Sequence, residues 1–76
     1  MIYWHKKAMK HFEMIPRDYQ LKIDVAVEKL PDGDVKPLHG KYADFFRLRV
    51  GDYRVIFEKK ENDIFVLEVL PRGKVY

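Results

Sequence analysis

Two hydrophobic periods divide this chain. In "KKAMKHFEMI", residues 6–15, Ala8, Phe12 and Ile15 fall at i, i+4 and i+7, the spacing of a helix with one buried stripe. Pro16 ends that run and suits the first turn of a second helix, "PRDYQLKIDVAVEKL", which gathers Tyr19, Ile23, Ala26, Val27 and Leu30 on one side. A short strand around Ile2 to Trp4 precedes the helices. The stretch "PDGDVKPLHGKYAD" is rich in Gly, Pro and Asp and reads as a loop.

From Phe45 onward the period is two. In "FRLRVGDYRVIF", Gly51-Asp52 is a two-residue connection, and glycine in the first position suits a type II′ hairpin turn. That turn predicts the register: Val50 faces Tyr53, Arg49 faces Arg54, Leu48 faces Val55, Arg47 faces Ile56 and Phe46 faces Phe57. Phe46, Leu48, Val50, Tyr53, Val55 and Phe57 then form one apolar side, and Arg47, Arg49 and Arg54 share the other. "IFVLEVLPR" continues the meander. With Lys60-Glu61-Asn62 as the loop, Phe65, Leu67 and Val69 join the apolar side, Glu68 lies opposite Arg54, and Leu70 and Arg72 stay on the arginine side. Lys74 and Tyr76 follow them if the strand remains extended. The expected fold is α+β, a single domain over residues 1–76 with an N-terminal helical hairpin packed on a small antiparallel β-sheet. Its core would set Phe46, Leu48, Val55, Phe57 and Leu67 against Phe12, Ile23 and Leu30.

Composition narrows the picture only modestly. With 76 residues, one domain buries roughly 60% of the surface of its unfolded chain, so the core is small. Apolar residues make up 47% and aromatic ones 14%, which suits a folded domain rather than a disordered one. The chain has no cysteine, so neither a disulfide nor a thiolate metal site holds it together. No segment reads as a signal peptide or an apolar membrane span, and a cytoplasmic location away from membranes is expected. The formal net charge is +3, a bias that allows a polyanionic partner without requiring one.

The placement of the charge matters more. A sheet face bearing arginine is an ordinary solvated surface, but Arg49 directly opposite Arg54 is a like-charge pair, which destabilises a sheet. A bound polyanion would relieve that repulsion, and the guanidinium fork fits phosphate oxygens in pairs. Both a bland surface and a phosphate site remain compatible with the pattern. His5, His11 and His39 are scattered, and Asp44, Asp52, Glu58 and Asp63 fall on different elements, so no metal centre and no cofactor is expected.

The run "LHGKYADFFRLRVGDYRVIF", followed by "IFVLEVLPRGKVY", resembles the RelE/ParE superfamily of toxins from type II toxin–antitoxin pairs. The likeness covers nearly the whole chain and is most specific from Leu38 to Phe57 and from Arg72 to Tyr76. In its RelE-like branch it implies a ribosome-dependent mRNA endonuclease, in which a ribose 2′-hydroxyl attacks the adjacent phosphate and leaves a 2′,3′-cyclic phosphate and a 5′-hydroxyl. Arg47 and Arg49 would then activate the nucleophile and bind phosphate, Arg54 would stabilise charge at the scissile phosphate, and Arg72 would act near the leaving oxygen. Tyr76 would stack on a base. Lys74, added from strand parity, would contact the substrate.

The implied partners are a cognate antitoxin, the ribosome and mRNA, with operator DNA met only through the antitoxin. Lysines often occupy the positions of Arg47 or Arg49 in the family, and a histidine often stands where this chain has Pro71. A guanidinium stays protonated up to about pH 12 and transfers protons poorly near neutrality, so the base and acid are unassigned, with His39 held in reserve. Two other activities share the fold: a ParE-like poison of DNA gyrase without nuclease activity, and a degenerate relative that only binds its antitoxin.

Overall fold

A computed structural model describes residues 1–38 and 45–71 of the chain. The elements run β1 (Ile2–Trp4), α1 (Lys6–Glu13), α2 (Arg17–Glu28), β2 (Val35–Pro37), β3 (Phe45–Val50), β4 (Tyr53–Lys60) and β5 (Asp63–Pro71). The five strands form one sheet in the order β1-β5-β4-β3-β2. Two helices on one sheet give the α+β architecture expected from the sequence. The sheet is mixed, because β1 runs parallel to β5 while the other neighbours are antiparallel.

Both helices follow from local chemistry. Pro16 holds an extended conformation with φ −53° and ψ 145° just ahead of α2. Its carbonyl accepts the backbone N–H groups of Tyr19 and Gln20, each at 3.0 Å, and Asp18 sits in the first turn, where a negative charge complements the helix dipole. The Gln20 side-chain amide donates to the Phe12 carbonyl at 2.9 Å. That carbonyl also accepts the Ile15 backbone N–H at 3.1 Å, and the side-chain bond to it ties the hairpin together.

The helical stripes meet one face of the sheet. Ala8, Ile15, Ile23, Val27 and Leu30 share a single buried cluster with Leu48, Val50, Val55, Phe57, Ile64, Val66 and Val69. Phe12, Phe46, Tyr53 and Trp4 are half-buried around it, and Trp4 packs edge-on against Phe12 with ring centroids 5.2 Å apart. Phe57 is 1% exposed and is the largest fully buried side chain.

The β3–β4 register is the one that Gly51-Asp52 predicts, pair for pair from Val50–Tyr53 to Phe46–Phe57. Gly51 has φ +57°, and a Cβ there would lie 3.0 Å from Tyr19 Cε1, so both the turn and the approach of α2 require glycine. Tyr19 seals this end: its ring meets Tyr53 edge-on at 4.9 Å, and its hydroxyl donates to Asp52 Oδ2 at 3.4 Å.

Two other expectations are corrected. Val35–Pro37, expected within a loop, is a strand paired with Leu48, Arg47 and Phe46. It ends on proline at the sheet edge, where a missing donor does no harm. The β4–β5 connection has two residues rather than three, since Lys60 pairs with Asp63 and Glu61 takes a positive φ of 55°. That difference of one residue inverts the faces, so Ile64 and Val66 enter the core in place of Phe65 and Leu67. A bulge opposite Ile56/Phe57 absorbs Leu67 and inverts the faces again. Val69 therefore returns to the core, Glu68 lies opposite Ile56 rather than Arg54, and Leu70 lies opposite Arg54. The bulge spares the core a carboxylate, whose burial without a partner would be costly.

Candidate functional site

With both helices on one face, strand alternation assigns the residues of the other. Beyond an outer Asp63–Lys60 pair, three rows cross it. The first joins Tyr3, Phe65, Glu58 and Phe45; the second joins Glu68, Ile56, Arg47 and Lys36; the third joins Leu70, Arg54 and Arg49. Arg47, Arg49 and Arg54 are therefore brought together as the sequence predicts. Lys36 joins them as a fourth cation, directly beside Arg47 on β2. Sequence reasoning missed it because three residues between Asp34 and Leu38 are too few to display a strand period. The one local signal was Lys36 itself, standing between Val35 and Pro37.

Arg49 and Arg54 are closer than their pairing alone requires. The Arg49 N–H donates sideways to the Asp34 carbonyl at 3.0 Å, away from β4. Arg49–Arg54 is thus a non-hydrogen-bonded pair of the antiparallel ladder, the type in which the Cα atoms approach to about 4.5 Å and side chains lie closest. Arg49 is exposed, and Arg47 and Arg54 are half-buried. Among the described residues, no carboxylate lies within ion-pair distance of the three guanidinium groups. Glu68, expected to offset Arg54, is buried beside Ile56 and pairs with Lys7 from the first turn of α1. Glu58 pairs with Lys60 at 3.6 Å.

Among the described residues, the face can therefore receive anionic oxygens on these guanidinium groups without first breaking a salt bridge. Proton transfer is a different matter, because guanidinium groups are poor at it. Arg72, Lys74, Tyr76 and His39, the other residues singled out from the sequence, lie outside the described residues. Among those described, no group of three His, Asp or Glu side chains is placed to hold a metal ion, and no helix is long and apolar enough to cross a membrane.

A family model described as the ParE toxin of the type II toxin–antitoxin system parDE matches residues 2–76. The chain belongs to this ParE toxin family. It thereby falls within the RelE/ParE superfamily that its sequence resembles. Solved structures similar to this ParE-family chain include the toxin of an archaeal RelE–RelB complex from Pyrococcus horikoshii, at 30% identity and a TM-score of 0.71, covering 97% of this chain and 96% of that one. The RelB–RelE antitoxin–toxin complex from Methanococcus jannaschii matches at 24% identity and a TM-score of 0.79, covering 91% and 88%. A toxin–antitoxin complex from Mycobacterium tuberculosis matches at 21% identity and a TM-score of 0.77, covering 95% and 96%. These last two likenesses speak to the fold. No curated protein matches the sequence significantly.

Proposed function

We propose that this toxin is a ribosome-dependent mRNA endonuclease, neutralised by a cognate antitoxin. The observation that carries the reading is the Arg49–Arg54 pair with Arg47 and Lys36 beside it. Four cations share a face where the described residues supply no carboxylate to the arginines, an arrangement that is unfavourable unless an anion fills it. Cleavage by a neighbouring 2′-hydroxyl needs an in-line nucleophile and donors for the negative charge growing on the phosphorane oxygens. In this reading Arg47 and Arg49 orient the 2′-oxygen and its phosphate, Arg54 meets the developing charge, and Arg72 assists the departing 5′-oxygen. Tyr76 stacks on a base, Lys74 contacts the substrate, and His39 is the candidate for moving the proton.

An antitoxin partner is supported by the family and by the similar structures, which were solved as toxin–antitoxin complexes. Inducing the chain in cells and mapping transcript 5′ ends is the test. New 5′-hydroxyl ends within codons of translated messages are expected; an unchanged transcript map would reject the assignment.

A second reading rests on the family model itself, which is that of ParE rather than RelE. In it, the chain poisons DNA gyrase by binding and cuts no RNA. Double-strand breaks in DNA with intact messages would be its signature.

A further inference from the structure

The two-residue β4–β5 turn does more than bring Ile64 and Val66 into the core. Ahead of the bulge, it leaves Phe65 on the arginine face, beside Tyr3 of β1 in the parallel pairing of the two strands. The two rings stack with centroids 5.3 Å apart and planes 17° from parallel. Tyr3 remains 44% exposed, so its outer side is presented to solvent. The basic cluster lies on the same face. From Tyr3, two strand spacings and about four residues lead to Arg54, and three strand spacings and about two residues lead to Arg47. Both separations come to roughly 16 Å, with buried Ile56 and Glu68 forming the floor between.

A flat aromatic surface at a fixed distance from a phosphate-sized cluster of cations is the pairing that single-stranded nucleic acid uses: rings take bases, cations take the backbone. We propose that the Tyr3–Phe65 stack is a second base-binding subsite, which holds an unpaired RNA base a short run of nucleotides from the phosphate on Arg54. This inference rests on the nuclease reading and adds to it a platform at the far end of the sheet face. The occupant is RNA rather than an acidic peptide because a π-face on Tyr3 offers a carboxylate nothing, whereas every base can stack on it. Glu58, the one carboxylate in that row, is partnered by Lys60 and sits on the cluster side of the stack.

The test uses 2′-O-methyl oligoadenylates, which cannot be cut, as a dinucleotide and an octanucleotide. Only the longer one reaches from the arginines to the platform. Tyr3→Ala is expected to weaken the octanucleotide roughly tenfold and leave the dinucleotide unchanged, while Tyr3→Trp keeps the parental value for both. Melting curves for each variant, and Tyr3→Leu, which retains apolar packing on Phe65, separate stacking from folding: Tyr3→Leu should melt like the parent and bind like Tyr3→Ala. Parental octanucleotide affinity in Tyr3→Ala, equal losses at both lengths, or no binding of the octanucleotide by the parent would each overturn the subsite. So would an oligoglutamate of equal charge that binds as tightly as the octanucleotide. Message cleavage by the same Tyr3 variants on ribosomes is read separately, so loss of the subsite and loss of the nuclease assignment are distinguishable.

Discussion

Arg49 and Arg54 stand opposite each other in the β3–β4 ladder at a non-hydrogen-bonded position. Two like charges in that geometry oppose folding, and no described carboxylate reaches them. Arg49→Thr should therefore stabilise the free protein, by about 0.2–1 kcal/mol, while lowering its activity. Urea denaturation at low salt measures the first effect. The gain should shrink in high salt, which already screens the pair; an Arg49→Thr protein less stable than the parent would mean the arginines are held by contacts other than those described.

Phe57 carries the core on the opposite side of the same strand. Phe57→Ala should cost about 3–5 kcal/mol, enough to unfold most of the population of a domain this small. Circular dichroism during a denaturant titration would show it, and a parental midpoint would refute the packing.

The β5 bulge makes a sharper demand. Val66 is fully buried, whereas Leu67, the residue it absorbs, is only half-buried. A lysine at position 66 would bury an unpaired charge and should abolish folding, while Leu67→Lys should be tolerated because a long side chain can carry its charge to water. The opposite order would restore the unbulged strand.

How much of this was legible follows from which residues punctuate the chain. Gly51 announces its own turn, since φ +57° and the proximity of Tyr19 leave little alternative to glycine, and six strand pairs follow from it. Glu61 makes an equally tight turn at φ 55°, and Asn62 beside it marks the loop but not its length. "IFVLEVL" is apolar at nearly every position, so parity alone could not locate the extra residue in β5, and it was the cost of burying Glu68 that had to decide. The arginine cluster was readable because it hangs on Gly51. Lys36 and the Tyr3–Phe65 stack were not, because they depend on β2 and β1, each only three residues long, whose partners are fixed by the completed sheet.

The hairpin tip predicts a pH dependence. Asp52, mainly through its charge, pushes the Tyr19 phenol above its ordinary value. Protonated Tyr19 is favoured in the folded state, so its contribution to stability is intact below about pH 10, the unfolded value. That contribution declines as the pH climbs from there through the raised folded value. Asp52→Asn should flatten this part of the profile relative to the parent. Denaturation midpoints compared between about pH 8 and 11 would reveal it, and parallel profiles would show that the Tyr19–Asp52 contact is not formed in solution.

Arg54 is the most direct probe of phosphodiester chemistry on the arginine face. Arg54 lies between Arg49 and Leu70 in the sheet and away from the buried cluster, so its removal should leave the fold intact. If its charge matters mainly in the transition state, Arg54→Ala should lower single-turnover cleavage of message on programmed ribosomes by roughly 10²-fold or more, with ribosome association almost unchanged. Arg54→Lys should recover only part of the rate, because an ammonium cannot present a two-pronged donor. A parent protein that leaves message uncut, or an Arg54→Ala protein that cuts at the parental rate, would contradict the account.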